Sequence, residues 1–185
     1  MNRIRMIWTG LTIAVPLLAL ERLTYWWAWN HPRHFEAAVR RLPGTHGVDP
    51  VNALRRLFML FKLIQLGVLL GWCVAFGGAW TPLPTAPGWL IVGALMLLGF
   101  GQLLNFSVMA RLGRDGVFYG NRFGRKIEWR TGFPFSIVPH PQYLGALLSV
   151  WAFMLIMRFP NPDWIALPLA STVLYAWGAW VERQP

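Results

Sequence analysis

Two apolar stretches constrain this chain more than any other feature. Residues 89–109, WLIVGALMLLGFGQLLNFSVM, carry no charge, and residues 57–76, LFMLFKLIQLGVLLGWCVAF, carry only Lys62. About 20 mostly apolar residues allow a helix to cross the roughly 30 Å hydrocarbon core of a bilayer. Lys62 lies near one end of its stretch, where a long side chain can reach the interface. The sequence therefore predicts two membrane-spanning helices here.

Three further segments predict an all-α integral membrane protein of four to five spans, with all 185 residues in one membrane-embedded domain. Residues 143–159 and 164–181 are apolar, and a Pro-Asn-Pro-Asp turn joins them into a C-terminal helical hairpin. Residues 7–29 are interrupted by Glu21 and Arg22, so they either cross tilted or lie partly within one leaflet. The N-terminus resembles a signal peptide without a cleavage pattern, so we expect an uncleaved first span.

Composition and charge agree with a membrane location. Only 13% of the residues are charged, against about 25% in soluble domains. The net charge of +10 could indicate nucleic-acid binding, but the basic residues cluster at the ends of the apolar stretches. That pattern sets membrane topology, so we expect no nucleic-acid partner. The single Cys73 lies in an apolar stretch and is interpreted as a packing residue.

The connections between the spans predict an orientation. Residues 77–88 carry no charge, whereas the connections before and after them are rich in arginine. The positive-inside rule places both basic connections in the cytoplasm, together with Glu182 and Arg183, although Arg3 and Arg5 then fall outside. We expect a multi-pass protein of the bacterial inner membrane, or of the endoplasmic reticulum in a eukaryote, with its active site facing the cytoplasm.

Residues 33–42, RHFEAAVRRL, show an amphipathic helical pattern. Phe35, Ala38, Val39 and Leu42 share one face, and the arginines lie away from it. Two interpretations are open: a helix on the inner leaflet, attracted to anionic headgroups, or an ordinary connecting loop.

Unusual residues are predicted to gather on the cytoplasmic side. They are the glycine-rich stretch 112–124, LGRDGVFYGNRFG, the stretch 133–145, FPFSIVPHPQYLG, and the terminal Glu182-Arg183. Proline breaks helices, so 133–145 is interpreted as a rigid turn that presents His140. Polar groups near the hydrocarbon are costly and usually functional, which favours a binding site here.

These segments resemble the phosphatidylethanolamine N-methyltransferase family, which is related to the isoprenylcysteine carboxyl methyltransferases. The similarity covers about residues 90–185 and is carried by LLGFGQLL, GVFYGNRFG, GFPFSIVPHPQYLG and VERQP, with a looser match at TYWWAWNHPRH. The most specific part is the His-Pro-x-Tyr-x-Gly element followed by a glutamate one helical hairpin later. A Gly-x-Gly alone would be a weak signal.

The resemblance implies an enzyme that uses S-adenosylmethionine (SAM) to methylate a membrane lipid amine, converting phosphatidylethanolamine through its methylated forms to phosphatidylcholine. It implies that SAM is bound by the Gly-x-Gly, the His-Pro-x-Tyr-x-Gly element and the acidic C-terminus. The matching residues here are Gly99, Gly101, His140, Pro141, Tyr143, Gly145 and Glu182. We expect no metal.

The chemistry of SAM agrees with these residue types. The ring of Tyr143 can attract the sulfonium cation, and Glu182 can accept hydrogen bonds from ribose hydroxyls or the cofactor ammonium. His140 or Arg183 can hold the carboxylate. Each group also has a purely structural interpretation. The glycines can serve helix packing, and the tyrosine can be an interfacial anchor. The histidine can bond to a backbone carbonyl, and the glutamate can be a solvated charge at the end of a helix.

The sequence departs from the family pattern in three places. Asn121-Arg122 stands where eukaryotic members usually carry Asp-Tyr, His140 replaces an asparagine, and Val181 replaces one acid of an acidic pair. These departures leave the acceptor open more than the methyl donor.

Methyl transfer to a headgroup ammonium requires loss of a proton, so we expect a general base. The candidates are His140, Glu128, Asp115, His31 and His34. Arginine matches phosphate geometry, so the cytoplasmic connections are predicted to hold the lipid head. The candidates there are Arg111, Arg122, Asn121 and His31, with Arg114 and Arg125 as further phosphate ligands.

Other functions remain open at this level. The acceptor can instead be a thiol, a prenylcysteine carboxylate or another small lipid. A non-enzymatic scaffold would use the glycines and tryptophans only for packing. A membrane reductase with a nicotinamide cofactor is a more distant alternative, since no dinucleotide fingerprint follows a predicted strand.

Overall fold

The computed structural model describes residues 3–41, 47–128 and 130–183, and its regular elements are all helical. The helices are α1 Arg3–Asn30, α2 Pro32–Arg41, α3 Pro50–Gly77, α4 Gly88–Val117, α5 Pro141–Arg158 and α6 Ala166–Val181, with a 3₁₀ turn at Gly120–Phe123. Of the described helices, three (α1, α3 and α4) are long and apolar enough to cross a membrane, and α6 is a shorter apolar helix. The predicted all-α membrane protein with a C-terminal helical hairpin is confirmed.

Local sequence signals define the ends of α3. The Asp49 carboxylate accepts a hydrogen bond from the Asn52 backbone N–H at 3.1 Å, and Pro50 fills the first helical position, where no donor is lost. Gly78 ends the helix with a left-handed φ of 71°, and its N–H donates to the Val74 carbonyl. The 28 residues of α3 extend about 42 Å, which exceeds the hydrocarbon thickness.

Glu21 and Arg22 do not interrupt α1. The helix continues through both residues, and their side chains face the bundle interior with 5% and 4% exposure. Glu21 forms ion pairs with Arg22 at 2.7 Å and with Lys62 of α3 at 3.0 Å. Because these charges are paired inside the bundle, Glu21 and Arg22 are no longer a reason to expect that residues 7–29 lie partly within one leaflet. Lys62, which by its position in the sequence could reach the interface, is bonded to Glu21 of α1.

The amphipathic segment forms α2, but its apolar face does not meet the membrane. Phe35 and Val39 are 1% and 5% exposed and pack into a protein core with Tyr25 of α1 and Leu54 of α3. Leu42, assigned to the same face, lies outside the described residues. The segment is therefore neither of the two predicted alternatives, a helix on the inner leaflet or an ordinary connecting loop. It is a helix whose apolar face packs into a protein core.

The helices differ greatly in how closely they pack. α4 and α5 form the most extensive pair, in which a Cβ added to Gly101 would lie 2.7 Å from the Gly145 carbonyl oxygen. α1 packs against α3 and α6, whereas α3 makes little contact with α4 in the described part of the chain. Small residues at a helix crossing let backbones approach closely, so the two glycines fix the α4–α5 geometry.

A buried ion pair joins the segments at the opposite end of the bundle from the C-terminus. Arg158 donates to both carboxylate oxygens of Asp163 at 2.8 Å, and Trp72 donates to Asp163 at 3.1 Å. Arg158 also donates to the Phe76 carbonyl at 3.0 Å. The end of α3 is thereby attached to the turn of the α5–α6 hairpin.

Replacing Asp163 with Asn should strongly destabilise the fold. The change leaves the buried Arg158 charge without its counterion, which typically costs about 3–5 kcal/mol. Unfolding of the detergent-purified protein by heat or denaturant measures the loss. The matched control is Glu36→Gln, which removes an exposed ion pair with Arg40 and should change stability by less than about 1 kcal/mol. Equal stability losses in the two variants would contradict this role.

Candidate active site

Three segments that are distant in sequence meet around one carboxylate. Glu182 directly follows α6, Tyr143 lies in the first turn of α5, and Tyr119 follows α4. Both tyrosine hydroxyls donate to Oε1 of Glu182, and they lie 3.3 Å from each other. Nδ1 of His140 lies 3.5 Å from Oε2 of Glu182. The histidine and the C-terminal glutamate therefore lie at the same end of the bundle.

The backbone after α4 is shaped to bring Tyr119 to this position. Gly113 breaks the regular helix with φ 62° and ψ −171°, so α4 is kinked there before the chain reaches Tyr119. Tyr119 itself has a left-handed φ of 57°, a conformation that bulky residues rarely adopt. Its ring makes edge contacts with Tyr25 and Trp29 at 5.5 and 5.1 Å, which hold this conformation in place. Such backbone strain is typical of functional sites.

Two cavities of more than 300 Å³ adjoin this cluster. The smaller, about 310 Å³, is lined by His140, Tyr143, Glu182, Trp29 and Tyr119 among others. The larger, about 560 Å³, lies between α3, α4 and α5 and is also lined by residues of α1 and α6. Tyr119 and Tyr143 line both cavities, so the hydroxyls that bond to the carboxylate lie at their shared wall.

The structure brings several predicted residues to the smaller cavity. His140, Pro141, Tyr143 and Glu182 all line it, as does Asn121, which was predicted to contact the acceptor. Pro141 occupies the first position of α5, so the proline-rich stretch ends where the helix begins, as the turn interpretation requires.

Other predicted cofactor residues are not in this cluster. Gly99 is exposed, with no atom within 4 Å of an added Cβ. Gly101 and Gly145 face each other across the α4–α5 contact, where they serve packing. Arg183 is exposed, and its backbone N–H donates to the Trp180 carbonyl. None of these residues lines the smaller cavity.

The ring of Tyr143 is engaged by other groups. The Arg22 guanidinium lies 4.6 Å from its centroid, and the His140 ring stacks against it at 5.6 Å with 13° between the planes. The prediction that this ring attracts a ligand cation therefore does not fit the structure. The Tyr143 hydroxyl donates to Glu182.

Among the predicted bases, His140 alone lines the smaller cavity. Glu128 has an 84% exposed side chain paired with Arg130, and His31 and His34 are exposed. Asp115 forms ion pairs with Arg125 and Arg114, so its carboxylate is already engaged. We therefore retain His140 as the candidate base.

The arginines predicted to bind phosphate are used mainly within the protein. Arg125 bridges Asp115 and Asp49, the latter at 2.6 Å. Arg122 lies 3.7 Å above the Trp29 ring, and its buried Nε has no hydrogen-bond partner among the described residues. Arg111 is exposed and lines neither of the two cavities. Arg122 is thus the one member of the predicted phosphate-binding set with a buried donor left unpaired.

Sequence reasoning missed two parts of the site. Tyr119 lies in the motif GVFYGNRFG, but its own role was not predicted. The Glu21, Arg22 and Lys62 cluster, which lines the larger cavity, was interpreted as an interruption and an interfacial lysine. Three ionisable residues within apolar spans were the available signal, because such residues usually face a partner or a cavity.

Comparison with known proteins defines the class and the family. A family model described as phospholipid methyltransferase matches residues 89–184. A phosphatidyl-N-methylethanolamine N-methyltransferase of Arabidopsis thaliana is 35% identical over 143 residues, covering 77% of each chain. A phosphatidylethanolamine N-methyltransferase of Rattus norvegicus is 32% identical over 154 residues, covering 80% of this chain and 73% of its own. No solved structure matches.

These matches identify an integral membrane methyltransferase. The chain belongs to the phospholipid methyltransferase family, so the resemblance carried by its motifs is confirmed. The scaffold, the reductase and the other acceptors are not favoured by any of these matches.

The two glycines of the Gly-x-Gly should respond differently to substitution by alanine. Gly101→Ala places a methyl group 2.7 Å from a backbone oxygen of α5, and such overpacking typically costs about 1–3 kcal/mol. Gly99→Ala meets open space and should be neutral or slightly stabilising. Thermal unfolding in detergent, with SAM titrated calorimetrically into both variants, separates packing from binding. Weakened SAM binding in a stable Gly99→Ala protein would instead place Gly99 in the cofactor site.

Proposed function

We propose that this enzyme transfers methyl groups from SAM to the amine of ethanolamine phospholipids, and that its site faces the cytoplasm. The observation that carries the proposal is the junction of two cavities at the Tyr119, Tyr143 and Glu182 cluster. The relatives are named for phosphatidylethanolamine and its monomethylated form, which favours the same headgroup here. The arginine-rich connections support the cytoplasmic orientation.

The smaller cavity has a donor and acceptor set that fits SAM. The Glu182 carboxylate, 16% exposed, can accept hydrogen bonds from ribose hydroxyls or an ammonium. Tyr119 supplies aromatic surface for a cation, and the side-chain amides of Asn121 and Gln142, which line the same cavity, can donate to a carboxylate. When bound, SAM would supply an electrophilic methyl group on a sulfonium.

His140 is proposed to take the proton from the headgroup ammonium. Glu182 lies 3.5 Å from Nδ1, which favours a proton on that nitrogen and leaves Nε2 to accept one. Tyr119 and Tyr143 form the wall between the cavities and orient the Glu182 carboxylate. These residues would hold the amine and the donor in a fixed relative position, and positioning supplies much of the acceleration in such a reaction.

Glu182→Gln should weaken SAM binding while the protein remains folded. Replacing a carboxylate by an amide removes charge-assisted hydrogen bonds worth about 1.5–3 kcal/mol, or roughly 10- to 100-fold in affinity. Isothermal titration with SAM measures the effect. Glu36→Gln is the matched control because that exposed side chain pairs with Arg40 of α2, and neither residue lines the cavity. Equal affinities for the two variants would remove Glu182 from the cofactor site.

The methyltransferase activity can be measured from the lipid composition of cells that express the protein. Expression in a bacterial host that lacks phosphatidylcholine should produce mono-, di- or trimethylated ethanolamine lipids, detected by mass spectrometry of total lipid extracts. The His140→Ala protein, expressed at the same level, should produce at least about tenfold less, because general-base catalysis contributes 10²–10⁴-fold. Stable wild-type protein with unmethylated lipids would refute the proposed activity.

A further inference from the structure

The larger cavity contains a cluster of charged groups that methyl-donor binding does not use. Glu21 and Arg22 of α1 and Lys62 of α3 line it, and all three belong to predicted spans. Lys62 donates to Glu21 at 3.0 Å, to Gln65 at 3.1 Å and to the Tyr175 hydroxyl at 3.2 Å. The Arg22 guanidinium pairs with Glu21 and lies about equally close to the Tyr143 and Tyr175 rings.

This cluster has one positive charge in excess. Two cations share the single carboxylate of Glu21, and burial makes an uncompensated charge costly. Nη1 of Arg22 is buried and has no hydrogen-bond partner among the described residues. The Lys62 side chain keeps 28% exposure, against 7% for Glu21, so the lysine is the charge that the cavity presents to a ligand. An anion would neutralise the cluster.

The neighbours of Lys62 can add donors for that anion. Tyr175 and Gln65 both accept from Lys62 through oxygen, so the Tyr175 O–H and the Gln65 amide N–H can be donated onward. Several neutral donors around one ammonium match the several acceptor oxygens of a phosphate group.

The shape of the cavity indicates where the anion comes from. α3 lines one side of the cavity and α4 and α5 line the other, while residues of α1 and α6, including Glu21, Arg22 and Tyr175, complete its lining. α3 and α4 make little contact in the described chain. Phe106 and Met109 of α4 line it and are 71% and 40% exposed, so apolar residues surround the opening. In a membrane this opening faces acyl chains, which favours a lipid over a soluble anion.

We propose that the Lys62 ammonium attracts the phosphate diester of the acceptor phospholipid, which enters sideways between α3 and α4. The three Lys62 N–H groups are already donated to Glu21, Gln65 and Tyr175, so the Tyr175 O–H and the Gln65 N–H donate to the phosphate. This inference rests on the proposed function, because it assigns the substrate phosphate to that same site.

Tyr175 accepts a hydrogen bond from Lys62, and its ring lies 5.7 Å from the ring of Tyr143. A phosphate at Lys62 would therefore be separated by the Tyr175 ring from Tyr143, which belongs to the wall between the two cavities. The two-carbon arm of ethanolamine then extends from Lys62 toward Tyr143. This assignment replaces the predicted phosphate ligands Arg111 and Arg122.

A comparison of two acceptors tests the proposal. One is phosphatidylethanolamine, and the other has the same acyl chains and amine but a neutral carbonate in place of the phosphate. Wild-type enzyme should prefer phosphatidylethanolamine to the carbonate analogue. Lys62→Met should lose about tenfold or more in kcat/KM for phosphatidylethanolamine but not for the analogue, because only the phosphodiester interacts with the ammonium charge. Lys62→Arg should keep the preference. The control Lys126→Met, at the other lysine of the sequence, should behave as wild type.

The alternatives give different results. An equal loss on both acceptors would show a structural role for Lys62, and an unchanged KM for phosphatidylethanolamine would exclude phosphate binding there. Inhibition by millimolar inorganic phosphate that competes with the lipid would indicate a soluble anion instead. In Lys62→Met, Glu21 retains Arg22 as its partner, and Lys62→Gln, which retains hydrogen bonding, provides a second variant if the first is unstable.

A binding measurement separates this inference from the proposed function. Native mass spectrometry can count phosphatidylethanolamine molecules retained by wild type and by the Lys62 variants in detergent. If wild type methylates neither acceptor, the proposed function fails, but selective loss of bound lipid in Lys62→Met would still support the phosphate site. Equal retention by both proteins would overturn it.

Discussion

The ion pairs of Glu21 with Arg22 and Lys62 join α1 to α3 inside an otherwise apolar bundle. Charges in such an interior are tolerated only when they are paired, so this contact fixes the rotation of both helices. Arg22 also reaches the rings of Tyr143 and Tyr175, which extends the same polar network to α5 and α6. The position of the last two helices, and of the glutamate that follows them, therefore depends on a charge pair near the start of the chain.

The candidate site follows from this arrangement. The end of α6 carries Glu182 to the start of α5, and the break of α4 at Gly113 brings Tyr119 to the same carboxylate. None of the three segments forms the site alone, because each supplies one or two groups to a shared wall. The result is a polar contact between two cavities, one lined by residues suited to a nucleotide-like cofactor and one bordered by apolar side chains. That division suits a reaction between a water-soluble donor and a lipid.

The sequence was sufficient for the helices but not for which of them are neighbours. Spans were predictable because length and apolar composition are local properties, and Pro141 marked the start of α5 for the same reason. The ionisable residues of the spans indicated which faces turn inward, but the pairing of Glu21 with Lys62 was not predictable, since hydropathy does not show which helices are neighbours. The face of α2 with Phe35 and Val39 was ambiguous between lipid and protein core. Topology placed His140 and Glu182 on one side of the membrane, and the family resemblance implied that they share one site.

The contact between Gly101 and Gly145 has a mechanical consequence. Because the two backbones touch, α4 and α5 cannot slide past each other and behave as one rigid unit, whereas α3 has no such constraint toward α4. A thicker or thinner bilayer changes the tilt of a spanning helix at small energetic cost. Such a change would move α3 against the rigid pair and alter the width of the gap between them. The surrounding membrane would then regulate access through its thickness, independently of the headgroups it contains.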